Sequence, residues 1–579
     1  MSRRLAAVVA AVLTLAACST VPTSSPTVQI TQVPSRQDAD VGIEPLAPET
    51  DASPEEIVRG FIDASASTDR GHPVAREHLT PAAQDSWADD GGVTVIEPGF
   101  ATVTRDEGVV RLSARTVGTV DERGIFTVGG ERFVRDFTVE KVDDQWRIAD
   151  PEDGLVVLEP DFERVYDQLN AYFLDPTGKR VGPDPRYLVV GEAQPTALVQ
   201  RLFGGPSPAL RAGVDNPVDG LALRRPVTVD GSTATVDLTG LPADPEPPLR
   251  QICTQLVWTL TQSRIRSVEV LVEGRPVSLA QVPRAQTTDD WAAYDPDAVP
   301  VDAVGHYVDA KGALRTAPDG QRVPGPAGEG AYRLVSAAAA SDATSGQLAF
   351  LAAVTAPDRA GDVSLLAGPY GGQLATVLPG SRSLTAPTVA GTRPEIWTVR
   401  NGNVVVRVLP GATPQNVTAT ALDGLGTVEA LQLSPDGVRA ALIIDGRSGP
   451  VLYIGTVVRS KDAVVLGDLR QVNPDIEDAV DVTWSASDTL MLLADDQAGE
   501  AVVPYEVSID GWGLSGVQTA GLPAEATTIA AAPNQEPLVS AVEPDAPGGP
   551  TIWRLIGVTW VTLVLGAPPQ AGTEPFYPL

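Results

Sequence analysis

The residue best placed for covalent chemistry is Cys18, which directly follows a short apolar segment. That segment, Leu5 to Leu15, comes after a basic start, Arg3-Arg4, and before two alanines. A basic start, an apolar run of about 7 to 15 residues and small residues ahead of a cleavage point are typical of an export signal. Because a helix needs about 20 apolar residues to cross a bilayer, we expect residues 1–17 to be a signal peptide and not a permanent transmembrane helix.

The sequence LAAC, which ends at Cys18, resembles a bacterial lipobox, where the cysteine thiol receives a diacylglycerol and cleavage makes the cysteine the mature N-terminus. This predicts lipidation of Cys18, with palmitate as a further acyl chain, and localisation at the extracytoplasmic side of the cell membrane. Two or three acyl chains anchor a protein stably, whereas one does not. An ordinary secretory signal with an incidental cysteine is the alternative, and the export route, general or twin-arginine, stays open.

The second cysteine, Cys253, would have no disulfide partner once Cys18 is lipidated. It lies among Leu249, Ile252 and Leu256, which share one face of a predicted helix, and nothing basic directly adjoins it to lower the thiol pKa. We interpret Cys253 as a small core residue and not as a reactive thiol.

Catalytic chemistry has few candidates among the other residues. The three histidines, His72, His78 and His306, lie in what look like different domains or turns, and no zinc-binding spacing, nucleophile elbow or phosphate-binding loop is present. Metal or acid–base work by His72 and His78 is conceivable, but a solvent-facing or capping role is favoured because no third ligand lies nearby. We predict no catalytic residue, no metal, no cofactor and no enzymatic activity.

The composition limits the class of partner. The chain has 579 residues, and its 42 basic and 74 acidic residues give a net charge of −32. Such a chain is repelled by nucleic acid and by anionic lipid, so no nucleic-acid partner is expected and membrane contact must come from the lipid anchor. The length indicates several domains.

The segments after the signal peptide fall into a tether and a first domain. Residues 18–50 hold the lipidated cysteine and a Ser, Thr, Pro and acid-rich stretch, which predicts a flexible acidic tether. Residues 51–160 begin with Ser53 and Glu56, which can form a helix capping box, and change to strand periodicity near Phe100. A helical start followed by a curled antiparallel sheet is α+β, and it resembles the NTF2-like fold.

Residues 161–285 follow the pattern strand, turn, strand, helix, hairpin, helix, strand. This α+β segment resembles the GerMN domain, a module of spore-germination and cell-envelope lipoproteins that is regarded as a binding module. The matching residues are Tyr172-Phe173, Arg186, Leu202, Gly205-Pro206, Asp237-Leu238, Thr259-Leu260-Thr261-Gln262 and Gly274.

Residues 286–579 contain short strands without a convincing long helix, and five strand segments recur at 45 to 51 residues. This spacing is typical of a β-propeller blade, and we expect about six blades; five or seven remain open, and a β-sandwich array is the rival. The segments WAAYDPDAV and HYVDAKGALR should supply a further blade or close the ring. The turn at Ser434-Pro435-Asp436-Gly437 is interpreted as structural.

The order of these parts resembles the LpqB family of actinobacterial lipoproteins along essentially the whole chain. WRIADPEDGLVV, LTQSRIRSVEVLVEG and LSPDG are the stretches that carry this resemblance, together with the Tyr172-Phe173 strand. It implies a role with the MtrA/MtrB two-component system, in which the lipoprotein binds the extracellular domain of the sensor histidine kinase and modulates signalling for cell envelope and division.

Two other functions share these features. One is a ligand-binding cell-wall lipoprotein without kinase contact, which an aromatic-lined pocket would favour. The other is a propeller hydrolase; adjacent acids such as Asp495-Asp496 and Asp89-Asp90 usually mark a solvated surface, so this function would need a funnel holding a carboxylate of raised pKa.

Replacing Cys18 with Ala should release the protein from the membrane without unfolding it, because the lipid is the expected anchor. Membrane fractionation after a high-salt wash, with circular dichroism as the folding control, tests this. Retention of the Cys18→Ala protein in the washed membrane fraction would show that the anchor assignment is wrong.

Overall fold

A computed structural model describes residues 45–579 except 107, 242–247, 263, 301–302, 343–344, 392, 462, 497, 544–548 and 565–567. The predicted signal peptide, Cys18 and most of the predicted tether lie outside the described residues. In the described part of the chain, no helix is both long and apolar enough to span a membrane.

The first domain begins with three helices, α1 (Pro54–Ser65), α2 (Pro73–Glu77) and α3 (Pro81–Ser86). The predicted capping box is present: the Glu56 amide donates to Ser53 Oγ at 3.3 Å, and the Ser53 amide donates to Glu56 Oε2 at 2.7 Å. One face of α1, including Ile57, Val58 and Phe61, is buried against the sheet. Local cap chemistry therefore starts the domain, and the apolar face fixes its packing.

The sheet of the first domain has the order β6-β5-β3-β1-β7, with β2 and β4 also paired to β3. All its pairs are antiparallel except β1 with β7. Its strands are β1 (Val93–Ile96), β2 (Ala101–Asp106), β3 (Val109–Val120), β4 (Phe126–Val128), β5 (Arg132–Val142), β6 (Gln145–Asp150) and β7 (Leu155–Leu158). The long β3 pairs with four partners, so the sheet curls around α1, as the α+β prediction requires.

The second domain contains a separate two-stranded ribbon, β8 with β9, beside a six-stranded sheet in which β12 and β13 run parallel. Its elements are α4 (Glu159–Val165), β8 (Tyr166–Leu174), β9 (Val181–Val189), α5 (Gln194–Phe203), β10 (Ala222–Leu223), β11 (Thr228–Asp230), β12 (Thr233–Thr239), α6 (Pro248–Leu260), β13 (Ser267–Val272), β14 (Arg275–Pro276) and β15 (Ala285–Gln286). The predicted hairpin is β11–β12, and the predicted helices are α5 and α6. The α+β prediction for this domain is confirmed.

The third domain consists of β16 to β38, with a short 3-10 turn at Thr420–Leu422; another 3-10 turn, Thr288–Tyr294, precedes β16. The strands are β16 (His306–Asp309), β17 (Leu314–Thr316), β18 (Leu334–Ser341), β19 (Leu348–Thr355), β20 (Val363–Pro369), β21 (Ala375–Ser381), β22 (Thr388–Ala390), β23 (Arg393–Arg400), β24 (Val404–Val408), β25 (Gln415–Asn416), β26 (Thr427–Leu433), β27 (Arg439–Gly446), β28 (Gly449–Arg459), β29 (Val464–Gln471), β30 (Ala479–Ala486), β31 (Thr489–Asp495), β32 (Val502–Ser508), β33 (Ser515–Gly516), β34 (Glu525–Ala530), β35 (Leu538–Val542), β36 (Thr551–Ile556), β37 (Thr559–Thr562) and β38 (Gln570–Phe576).

These strands form six blades around an axis. Blades one to five are consecutive groups of four strands from β18 to β37, and blade six joins the C-terminal β38 to β16 and β17. The innermost strands β18, β22, β26, β30, β34 and β38 contact one another in that order, and β38 contacts β18. The ring is therefore closed by pairing the two ends of the domain, and the expectation of six blades is confirmed.

The five recurring segments of the sequence are the second strands of blades one to five: β19, β23, β27, β31 and β35. HYVDAKGALR forms β16 and β17 of blade six, as expected. The expectation for WAAYDPDAV was wrong, because Trp291 packs in the core of the second domain, where Arg250 lies over its ring.

The three domains meet around the β8–β9 ribbon. Every residue of β9 from Val181 to Leu188 is buried. On one side, Gln255 of α6 donates to the Tyr172 carbonyl at 2.8 Å; on the other, Asn170 Nδ2 donates to Asp488 of the propeller at 2.6 Å. The ribbon is therefore enclosed by its own domain and by the propeller.

Trp512 joins the first two domains to the propeller. Its indole lies in the loop after β32. The indole centroid is 5.2 Å from the ring centroid of Phe126 in the first domain, 5.0 Å from that of Phe162 and 5.8 Å from that of Tyr187. Contacts of this geometry add to the burial of apolar area. One side chain thus packs against two other domains.

Replacing the partly buried Trp512 with Ala should destabilise this junction, by less than the roughly 3 to 5 kcal/mol of a fully buried aromatic truncation. We expect scanning calorimetry to show an unfolding transition of the first domain that separates and moves to lower temperature. Trp553→Ala is the control, because Trp553 lies in β36 of blade five. An unchanged trace for Trp512→Ala would contradict the packing described here.

Candidate functional site

The chemically reactive side chains of the sequence are scattered in the structure. Cys253 is fully buried in α6, and burial raises the pKa of its thiol to about 12, in agreement with its interpretation as a core residue. Among the described residues, no group of three or more His, Cys, Asp and Glu side chains could hold a metal ion. Cys18, the predicted lipidation site, lies outside the residues that the structure describes.

The three histidines occupy separate environments. His72 precedes α2, and its Nδ1 lies 2.7 Å from Asp89 Oδ2, while Arg76 donates to the other oxygen of Asp89 at 2.9 Å. His306 is buried in blade six, with Nε2 2.6 Å from the Tyr370 hydroxyl, and burial lowers its pKa to about 4. The structure does not bring these side chains together.

The solvent-facing or capping role expected for two of the histidines is corrected in part. His78 follows α2 at its C-terminal end but is only 2% exposed, and burial lowers its pKa. Its Nδ1 donates to the Val74 carbonyl of α2 at 3.1 Å, so the ring is buried and caps the helix, as the capping alternative predicts, and does not face solvent. His72 stands at the N-terminal end of α2 but makes no capping hydrogen bond there; it pairs with Asp89 instead.

The adjacent acids of the sequence have structural roles. Asp89 forms the ion pairs with His72 and Arg76 just described, and Asp496 accepts a hydrogen bond from the Glu500 amide at 2.8 Å. Asp90 is exposed, as expected for a solvated surface, whereas Asp89, Asp495 and Asp496 are partly buried.

A carboxylate pair that sequence reasoning missed lies on the inner strands of the propeller. Burial raises the pKa of Asp481 in β30, and burial together with the charge of Asp481 raises the pKa of Glu574 in β38. Both oxygens of Asp481 accept backbone amides, from Val482 at 2.9 Å and from Ile529 of blade five at 2.8 Å. Asp481 therefore joins two blades. The two residues stand 93 positions apart in the chain, and the packing of blades four, five and six brings their strands to the same part of the axis.

A cleft at the meeting point of the three domains is the candidate site. Its volume is about 340 Å³, which is within the range of small-molecule sites. The first domain contributes Asp121, Ile125, Phe126, Thr127 and Val128; the second contributes Asp184, Pro185, Ser207, Pro208, Ala209 and Leu210; the propeller contributes Arg439, Thr456, Arg470, Gln471, Ile509 and Asp510.

Two arginines of the propeller and three aspartates, one from each domain, line the cleft. Arg439 begins β27, directly after the turn at Ser434-Pro435-Asp436-Gly437, and its Nη2 donates to the Pro183 carbonyl of β9 at 2.5 Å. Arg470 lies near the end of β29 and donates to the Ile509 carbonyl at 3.1 Å. Burial, followed by the charge of Arg439, lowers the pKa of Arg470. A second pocket of about 420 Å³ lies between blades four and five and contains Glu506 but no basic residue.

Arg439 could have been noticed in the sequence, because it lies two residues after Gly437 of the Ser434-Pro435-Asp436-Gly437 turn. The turn before Arg439 was recognised as structural, and the structure shows why: Ser434 Oγ accepts the Arg439 amide at 3.0 Å and the turn packs against the ribbon. No local pattern in the sequence marks Arg470.

Comparison with protein families assigns all three domains. The model described as "Lipoprotein LpqB, N-terminal domain" matches residues 47–163, "Sporulation and spore germination" matches residues 170–278, and "Lipoprotein LpqB beta-propeller domain" matches residues 312–543. A curled α+β domain, a GerMN-type domain and a six-bladed propeller thus define a multidomain lipoprotein class.

Relatives cover nearly the whole chain. Lipoprotein LpqB of Rhodococcus opacus (strain B4) is 30% identical over 96% of each chain, and Lipoprotein LpqB of Mycobacterium tuberculosis (strain CDC 1551 / Oshkosh) is 31% identical over 90% of each. This chain belongs to the Lipoprotein LpqB family. Among solved structures, TolB of Acinetobacter baumannii is similar at 12% identity with a TM-score of 0.36, covering 62% of this chain and 99% of TolB; similarity at this level supports no conclusion about function.

The carboxylate pair predicts a pH dependence of stability. A carboxyl group whose folded-state pKa is raised binds a proton more tightly in the folded than in the unfolded state, so its contribution is lost as pH rises through the folded value. Glu574→Gln has no carboxyl group at this position, so the variant does not lose this stability as the pH rises. Its stability relative to the unmodified chain should rise between pH 5 and pH 8 by an amount on the order of 1 kcal/mol, since one pKa unit corresponds to about 1.4 kcal/mol.

Thermal denaturation of the variant and of the unmodified chain across this pH range measures the difference, in which the groups common to both proteins cancel. Glu525→Gln, at an exposed carboxylate on the adjacent strand β34, is the matched control and should show no such slope. A pH-independent difference for Glu574→Gln would show that the carboxyl group is not perturbed by its surroundings.

Proposed function

We propose that this protein is a membrane-anchored extracytoplasmic lipoprotein that binds and modulates an MtrB-like sensor histidine kinase in a two-component system controlling cell envelope and division. Membership of the Lipoprotein LpqB family supports the lipoprotein assignment. The LAAC sequence ending at Cys18 supports the anchor. The kinase partnership is what the family resemblance implies.

The observation that carries a binding role is the way the domains are joined. Trp512 and the β8–β9 ribbon place three domains in one compact unit, which presents a composite surface in a fixed arrangement. Preorganised surfaces lose little conformational entropy on binding. A tether at the membrane raises the local concentration of such a unit near a membrane-embedded partner, so a weak interface suffices for occupancy.

We propose a non-catalytic mode of action. Asp481, one of the two carboxylates of raised pKa, has a structural task, because its two oxygens accept backbone amides of two blades. The ligand-binding alternative without kinase contact is favoured by a specific observation, the cleft that contains Arg439 and Arg470.

Direct titration tests the kinase proposal. The chain from Ser19 onward, which lacks the lipid, is titrated by calorimetry against the extracellular domain of the cognate sensor kinase. We expect saturable binding, and the extracellular domain of an unrelated sensor kinase is the control. Because the domains interlock, the intact chain is used, and Trp512→Ala tests whether the joined arrangement is needed. No heat at high micromolar concentration, where a weak complex would still form, would contradict direct kinase contact.

A further inference from the structure

The pocket between blades four and five is built from both blades. Blade four contributes the end of β30 together with parts of β31 and β32, and blade five contributes the connection between β34 and β35. Its volume is about 420 Å³, which is within the range of sites for small molecules. The pocket therefore depends on the packing of two blades and not on a single loop.

The charged group of this pocket is Glu506, in the middle of β32. It pairs with Met491 of β31 on one side and with Ser515 of β33 on the other, so the sheet fixes its position. The residue is partly exposed, and its oxygens are not fully buried. A ligand in the pocket can therefore reach the carboxylate.

Glu506 has no partner within the part of the chain that the structure describes. No side chain or amide there donates a hydrogen bond to its carboxylate or forms an ion pair with it. Burial raises its pKa, and no neighbouring charge contributes to this shift. A charged group that is partly removed from water without a partner loses solvation free energy, and a bound cation would offset that loss.

Blade five brings an unused acceptor to the same pocket. Gln535 is partly exposed and lies in the connection after β34, where its backbone amide donates to the Ala532 carbonyl at 3.0 Å. Its side-chain amide has no hydrogen-bond partner among the described residues, and the oxygen of such an amide accepts hydrogen bonds. A carboxylate and an amide oxygen from two blades thus line one pocket.

The composition of the lining restricts the kind of cation. Among the described residues that line the pocket, none is basic and none is aromatic. Quaternary ammonium groups are recognised by aromatic faces, so a cation held here needs N–H groups that donate to the two oxygens. Met491 and Pro537 offer an apolar wall for a short carbon chain. The net charge of −32 also favours the approach of cations over anions.

We propose that this pocket binds a compact organic cation, whose primary ammonium group donates hydrogen bonds to Glu506 and to the side-chain oxygen of Gln535 and whose short carbon part lies against Met491 and Pro537. A volume of about 420 Å³ suits a molecule the size of an amino-acid amide and not a polymer. This site does not depend on the kinase proposal, and its test uses no kinase.

Calorimetric titration of the chain from Ser19 onward with alaninamide tests the proposal. N-acetylalaninamide lacks the charge, the N-trimethyl derivative of alaninamide keeps the charge but has no ammonium N–H, and calcium chloride supplies a metal ion alone. We expect saturable binding of alaninamide, weaker by about tenfold or more for both organic controls, because hydrogen bonds to a charged group are lost. Absence of alaninamide binding at millimolar concentration, equal binding of either control, or tighter binding of calcium would overturn the proposal.

Variants assign the binding to this pocket. Glu506→Gln keeps the shape of the side chain and should weaken alaninamide binding by about tenfold or more, while the unfolding temperature without ligand should not fall, because the carboxylate has no partner to lose. Glu500→Gln removes the same charge from the exposed turn between β31 and β32 of the same blade and is the matched control. Gln535→Ala should also weaken binding, by a smaller factor. Unchanged affinity in Glu506→Gln, or equal weakening in Glu506→Gln and Glu500→Gln, would overturn the assignment.

Discussion

The β8–β9 ribbon is the element on which the rest of the structure depends. Two strands alone are marginally stable in water, and a strand buried on both faces needs a partner for each polar group. Pro183 and Pro185 lie in β9, where they pair with Tyr172 and Asn170. Because β9 has a strand on one edge only, the missing amides of the prolines leave no unpaired donor at its open edge.

The open edge of β9 is closed by arginines. Arg439 of the propeller donates to the Pro183 carbonyl, and the fully buried Arg186 donates to the Pro185 carbonyl at 2.8 Å. Arg186 also pairs with Asp184 at 2.9 Å. A buried ion pair of this kind adds little net stability, but separating its partners would leave a buried charge without a partner, which is strongly destabilising. The ribbon therefore couples the folding of the second domain to the seating of the propeller, and the candidate cleft opens beside the same arginines.

The parts of the fold with local causes were predictable from the sequence. Ser53 and Glu56 form their capping box within one turn, and the recurring strands of the propeller carry an apolar pattern that repeats blade by blade. The order of helices and strands in the first two domains also follows from local periodicity, whereas the GerMN-like and NTF2-like interpretations rest on resemblance to those folds.

The parts that depend on distant pairings were not predictable. Trp291 was expected to belong to the propeller because it follows the last strand of the second domain. Its ring is instead buried in the core of the second domain. Asp481 and Glu574 come near each other only through the packing of blades four to six. The cleft needs three domains at once, so nothing in the segment around Arg470 indicates it.

The central claim is that three domains form one unit around the buried ribbon, and hydrogen exchange of the intact chain tests it most directly. Amides of β8 and β9 should be among the slowest to exchange, opening only with unfolding of the whole unit, because regions of low exchange report global opening. The inner strands of the propeller should exchange in step with them. Fast exchange of the ribbon while the propeller remains protected would contradict the account, since the ribbon would then be an independent hairpin on a separately stable propeller.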